Sequence, residues 1–179
     1  MLGAPVTVTP PTASLISTEQ AMTFLRIDGE ILDAEVELMV AAAIGELELT
    51  TGLRLLNQVV RVTADSFNDL LRFRVGPVRS IASVAYRDTT GAEQVLAPAS
   101  YELFGSPFEQ GLQTAIGHSW PAVLSRSSAI NVTLNVGYGD TPEAVPAHLR
   151  LAAFSILRGR HDGAEVNVES LIANDRFWL

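Results

Sequence analysis

The side chains able to do chemistry are few and scattered. The three histidines, His118, His148 and His161, stand at separations that no helical turn brings together as metal ligands. Asp28, Glu30, Asp33 and Glu35 make an acidic corner of the kind that binds calcium. Its glycine, however, is the second loop residue instead of the sixth, and the closing bidentate glutamate is missing, so helix capping accounts for these acids better. Gly137-Tyr138-Gly139 follows a strand-like run and precedes a helix-like one, as a dinucleotide loop does, but Pro142 takes the place of the third glycine. There is no phosphate-loop lysine motif and no Gly-x-Ser-x-Gly elbow. Asn131-Val132-Thr133 matches a glycosylation sequon but lies inside the clearest strand, and is read as a chance match. Arg72, Arg74 and Arg79 form a basic strip whose default reading is a solvated sheet face. No catalytic, metal-binding or cofactor-binding residue is assigned.

The composition sets the class. A chain of 179 residues, 47% hydrophobic and 18% charged, holds one domain with a sizeable core and is not disordered. Its mean hydropathy of +0.24 is high, yet no run approaches the roughly 20 apolar residues that span a bilayer. The longest candidate, Val36 to Leu49, is broken by Glu37, Glu46 and Glu48. No membrane partner is expected, and the excess apolarity reads as surface for partner subunits. A net charge of −8 argues against bulk attraction to nucleic acid. Zero cysteines leave no disulfides, which fits a reducing cytoplasm, and Met1 to Thr12 lacks the charge and apolar block of a secretory signal.

The elements that would carry these residues can be laid out in order. Met1 to Ala13, with three prolines and alternating Val and Thr, reads as an extended arm. Ser17 and Gln20 form a capping box, with Ile16 and Ala21 at the hydrophobic-staple positions, so a helix starts near 17 and stops near Asp28-Gly29. A second helix runs from Asp33, with Val36, Val40, Ala43/Ile44 and Leu47 on one face, to the terminator Gly52. The period then becomes alternating. Strands are expected over Leu71–Val75, ended by Gly76-Pro77, and over Ser80–Tyr86. Asp88-Thr89-Thr90-Gly91 turns the second into Gln94–Leu96, and Tyr101–Phe104 and Gln113–Ile116 follow. Ile130–Val136 is the clearest strand of all. Val145-Pro146 opens a third helix with Leu149, Ala152/Ala153 and Ile156/Leu157 inward and arginines towards its C-terminal end. Residues 161–174 read as polar and exposed, with Leu171 and Ile172 able to start a short turn, and the chain finishes on the aromatic group Arg176-Phe177-Trp178-Leu179. The fold class is α+β: a small bundle of two N-terminal helices and one C-terminal helix (about 17–28, 33–51 and 146–160), with a β-rich insertion of antiparallel strands within 58–136.

This order of elements resembles the head–tail connector (adaptor) proteins of long-tailed bacteriophages and gene transfer agents. The residues that carry the resemblance are Ile16-Ser17 through Glu19, Leu25-Arg26-Ile27-Asp28, Ala41-Ala42-Ala43, Thr51-Gly52, Gly76-Pro77-Val78 and Val84 through Asp88. Tyr101, Trp120-Pro121, Gly137-Tyr138-Gly139 and Val145-Pro146 continue it, so that it spans about residues 10 to 160. It implies a connector domain over 1–160, a C-terminal extension over 161–179 and a non-enzymatic subunit of a ring, about twelvefold. The implied partners are other copies of the chain, the portal protein, a stopper or tail-terminator protein, and double-stranded DNA that passes without sequence-specific binding. The implied location is the neck of a virion or gene-transfer-agent particle, with assembly in the bacterial cytoplasm. The resemblance also suggests that the C-terminal segment docks on the portal, with Arg176, Phe177, Trp178 and Leu179 as anchors; the alternative is that these aromatics fold back onto their own domain. A tail-completion or tail-tube ring protein and a small monomeric enzyme or regulatory domain are the alternatives.

Overall fold

The computed structural model describes residues 1–27 and 33–177. They form two compact units. One is built from Met1–Pro10 and Asn57–Gly137, the other from Pro11–Leu56 and the chain after Gly137.

The first unit is a sheet structure. β2 (Gln58–Ala64) and β7 (Ile130–Val136) each bury alternate side chains, which is the period of a half-buried strand. They pair antiparallel over their full lengths, Gln58 opposite Val136 and Ala64 opposite Ile130. β3 (Val78–Arg87) covers the other edge of β7, so that β7 is the centre of a five-stranded sheet. β1 (Val6–Thr9) and β4 (Glu93–Val95) complete the order β1-β2-β7-β3-β4. A separate hairpin joins β5 (Tyr101–Phe104) to β6 (Gly111–Thr114). Val60, Val62, Leu70, Phe73, Val84, Leu112, Val132 and Leu134 make the core, each contributing on the order of 2 kcal/mol by leaving water. Phe67 caps it, its ring stacked on Trp120 at 4.3 Å between centroids.

The alternation of Leu71, Phe73 and Val75 does not make a strand. Phe67–Leu71 is a 3-10 turn, and Arg72 to Val75 is bend and irregular backbone, with an isolated bridge at Gly76 before β3 begins. Phe73 and Val75 are buried while Arg72 and Arg74 are exposed, as the pattern implies, but Leu71, expected on the inward face, is exposed. The backbone partner is different: the Phe73 N–H donates to the Gln110 carbonyl at 2.8 Å. Consequently Arg72 and Arg74 belong to a loop, and only Arg79 is on a sheet.

The second unit is helical. α1 (Thr18–Leu25) begins at the expected capping box: the Gln20 N–H donates to Ser17 Oγ and the Ser17 N–H to Gln20 Oε1, both at 3.1 Å. It ends earlier than expected, with Arg26 in the left-handed region (φ 59°). α2 (Asp33–Thr51) buries Val36, Val40, Ala43 and Leu47 and stops at Gly52, whose φ of 74° needs a residue without Cβ. α3 (Ala147–Asp162) buries Leu149, Ala152, Ala153, Ile156 and Leu157, and runs two residues beyond the expected end. The helices pack on one another, with Phe24 against Phe154 at 4.9 Å and the Arg158 guanidinium 4.6 Å above the Phe24 ring. α4 (Glu169–Ile172) lies in the stretch expected to be polar, but Ile172 is fully buried there. A bundle of helices with a β-rich insertion, the fold class expected from the sequence, is what the chain adopts. Among the described residues, no helix is long and apolar enough to cross a membrane.

Candidate functional site

The residues singled out for chemistry stay apart. His118 is exposed after β6. On α3, His148 meets Asp175 at 2.9 Å, whereas His161 meets its neighbour Asp162 at 2.8 Å. Asp28 and Glu30 lie outside the described residues; Asp33 and Glu35 are exposed in the first turn of α2. Among the described residues, no three carboxylates or histidines gather round a point that could hold a metal. The glycines at 137 and 139 serve the backbone: Gly137 has a φ of 116°, and a Cβ on Gly139 would stand 2.4 Å from that of Ala144. Asn131-Val132-Thr133 is in the middle of β7, the central strand.

The C-terminal segment is tied to its own unit up to Phe177. Arg176 donates to Glu169 Oε2 at 2.9 Å, and the Phe177 N–H donates to the Thr51 carbonyl at 2.9 Å. That carbonyl ends α2, and the buried Thr51 hydroxyl donates to the Leu47 carbonyl one turn earlier. The Phe177 ring is buried. Nearby, burial and then the negative Asp175 push the Tyr138 phenol up to about 12, so it is neutral at any physiological pH. Trp178 and Leu179 lie outside the described residues.

Two exposed surfaces remain. α2 carries a second apolar stripe on the side away from its buried one. Ala34, Leu38, Ala41, Gly45 and Leu49 recur at spacings of four, three, four and four, and all are exposed. Leu38 is 71% and Leu49 86% exposed, far more than a helix of a closed core presents. Acids border the stripe: Glu37 and Glu48 on one side, Glu35 and Glu46 on the other. Glu46 is paired with Arg160, and Glu48 accepts from the Leu55 N–H at 2.9 Å. The other surface is the arginine segment 72–79. Gln110 is almost fully buried, and its side-chain amide closes the segment by both accepting from and donating to the Val78 backbone, at 2.7 Å each. Arg72 and Arg74 are exposed on the loop after Leu71, itself 50% exposed, and Arg79 is exposed on β3. The arginine strip was expected, though as a solvated sheet face, whereas Arg72 and Arg74 are on a loop. The outer stripe of α2 was legible as an unusually apolar helix, but a lone Gln in a loop gave no signal.

No protein-family model matches the sequence, and no curated protein matches it. Solved structures do. A chain in the virion of a native gene transfer agent particle superposes with a TM-score of 0.77 at 23% identity, over 98% of this chain and 96% of that one. A chain in the neck of an empty particle, computed with C6 symmetry, gives 0.78 at 19% identity over 100% and 96%. One in the neck of a native particle, computed with C12 symmetry, gives 0.72 at 20% identity over 96% of each. This chain shares the fold of gene transfer agent particle chains. The likeness runs from end to end of both partners and agrees with the connector resemblance carried by the sequence.

Proposed function

We propose that the chain is a structural, non-enzymatic head–tail connector (adaptor) subunit, several copies of which form a ring in the neck of a tailed particle. The observation that carries this reading is the end-to-end likeness to a chain of a particle neck, with a TM-score of 0.78 and 96% of that chain covered. A ring needs two different complementary faces on each subunit, and the exposed apolar stripe of α2 and the arginine segment are two such faces. In this reading DNA passes through the ring without specific contacts, and the portal and a stopper or tail-terminator protein lie on either side. The test is to image necks assembled with a tagged chain. Ring density carrying the tag between portal and tail supports the reading; tag density confined to the tail tube, or its absence from particles, discards it.

We further propose that Arg176–Leu179 docks the subunit on the portal, since aromatic side chains dominate the energetics of such contacts. Docking through Phe177 would exchange its seat beside Thr51 for one on the portal. Removing the Phe177 ring would therefore also cost about 3–5 kcal/mol of fold stability. The cleaner variant is Trp178→Ala with Leu179→Ala. Its thermal midpoint should match the parent's, while attachment to portal-bearing heads is lost. Normal head–tail joining by this variant discards the docking role.

A further inference from the structure

We propose that the outward stripe of α2 is a self-contact surface, covered in the assembled ring by the arginine segment 72–79 of a second copy of the chain. The inference rests on the ring reading above and names the surfaces that would make it.

Gly45 is the starting point. It stands in the middle of a 19-residue helix, where glycine is the worst ordinary residue after proline for helix stability. Its own fold gives no reason for it: a Cβ at position 45 would meet nothing within 4 Å. Its φ is not among the positive ones, so no left-handed turn requires it. What remains is an approach from outside the chain. The stripe has the shape for one, with small residues (Ala41, Gly45) at its centre and the exposed leucines Leu38 and Leu49 towards its ends. A backbone or side chain from outside can sit low over Gly45 while the leucines close round it.

Charge identifies the occupant. α2 has five acidic residues and no basic one, and Glu46 and Glu48 already pair with Arg160 and Arg54. The exposed Glu35 and Glu37 flank the stripe nearer its start, so whatever covers it there should bring positive charge to its rim. Across the whole chain the charges are divided unevenly. The sheet unit has six arginines and six acids, whereas the helical unit and the residues joined to it have six arginines and fourteen acids. Of the arginines in the helical unit, Arg54, Arg158, Arg160 and Arg176 already contact groups of that unit. In the sheet unit, by contrast, Arg72 and Arg74 are exposed on the loop that follows an exposed Leu71, and Arg79 is exposed at the start of β3, next to the Val78 backbone that Gln110 bonds. An apolar centre with an acidic rim on one surface thus meets an apolar residue with a basic rim on another. Because the two surfaces differ, the contact is heterologous. Repeated from copy to copy, a contact of this kind forms a ring where its rotation closes.

The test is sedimentation velocity of the full chain over a concentration series, with thermal unfolding measured alongside. The wild-type chain should self-associate. Gly45→Leu should leave the unfolding midpoint unchanged or higher, since the site is open in the single chain, yet weaken association at least tenfold. Glu35→Arg with Glu37→Arg should weaken it comparably, and adding Arg72→Glu with Arg74→Glu should restore it. A wild-type chain that stays monomeric to about 1 mM overturns the inference. So does a Gly45→Leu chain that associates like the parent, or a charge exchange that restores nothing. A Gly45→Leu chain that still forms rings but no longer joins heads also overturns it, by giving the stripe to the portal. The connector reading fails on different grounds, namely absence of the chain from imaged necks.

Discussion

Asp88 shows how much one side chain can organise. Its Oδ1 accepts from the Thr90 N–H at 2.9 Å, the Thr90 hydroxyl at 2.6 Å and the Ala92 N–H at 3.1 Å, and its Oδ2 from the Gln94 amide at 3.0 Å. These bonds, the Thr90 hydroxyl's first, favour the charged form and hold the carboxyl at about 2, against an ordinary 3.8. A depressed carboxylate contributes stability that is present above its unfolded value and lost as pH falls through the folded one. The β3–β4 turn should therefore hold down to about pH 4 and loosen between there and pH 2. A carbon-detected titration of Asp88 should give a midpoint near 2, and Asp88→Asn should remove the pH dependence of the Thr90 and Ala92 amide shifts. A midpoint near 4 would show that the turn does not hold the charge. Gln110 matters in the opposite setting, inside the fold. Gln110→Leu keeps the volume but leaves the Val78 N–H and carbonyl unsatisfied, at a cost of about 2–4 kcal/mol. Chemical denaturation should show that loss as a lower midpoint at unchanged slope.

At the scale of elements, the two glycines of α2 should answer the same substitution with opposite signs. Gly45→Ala places a methyl in open space on a right-handed helix and should stabilise the single chain by about 1 kcal/mol. Gly52→Ala forces a Cβ into a left-handed conformation at φ 74° and should destabilise it by about 1 kcal/mol. Thermal melts of the two variants at low concentration check both, and equal shifts would mean that the helix ends differently. Such local rules are why so much of the fold was legible. Ser17 and Gln20 announce their box within four residues, and the alternation of Ile130 to Val136 is clear because that strand is covered on both edges. The failures share a cause as well. Phe73 and Val75 alternate with exposed arginines because the chain passes over a core, while Leu71 ends a 3-10 turn and is exposed; periodicity does not report what the backbone bonds to. The partner of Phe73 is Gln110, 37 residues on, in a loop whose composition predicts nothing. The burial of Ile172 is equally non-local, since its polar neighbours hide a single inward side chain. The candidate assembly surfaces were the least legible. A second apolar stripe looks like ordinary helix composition until the first stripe is known to fill the core.

At the scale of the whole molecule, the distribution of charge decides how the chain should treat DNA. The net −8 belongs to the helical unit and the residues joined to it, because the arginines and acids of the sheet unit balance. In the sheet unit the exposed arginines nearest one another in sequence are Arg72, Arg74 and Arg79, a group of three charges. Non-specific binders reach dissociation constants of about 10⁻⁴ to 10⁻⁶ M by releasing many more counterions than that. At about 0.1 M salt, moreover, the screening length is roughly 10 Å, so each surface acts nearly alone. If the proposed ring surrounds DNA, a neutral sheet unit and an acidic helical unit each offer a duplex little to hold. Fluorescence anisotropy of a labelled duplex should therefore stay flat as the chain is added to about 100 μM at that salt concentration. Tighter binding that Arg72→Gln with Arg74→Gln abolishes would reassign the arginine segment from a neighbouring subunit to the DNA itself. The ring would then grip its cargo, and the contact proposed for α2 would need another source of positive charge.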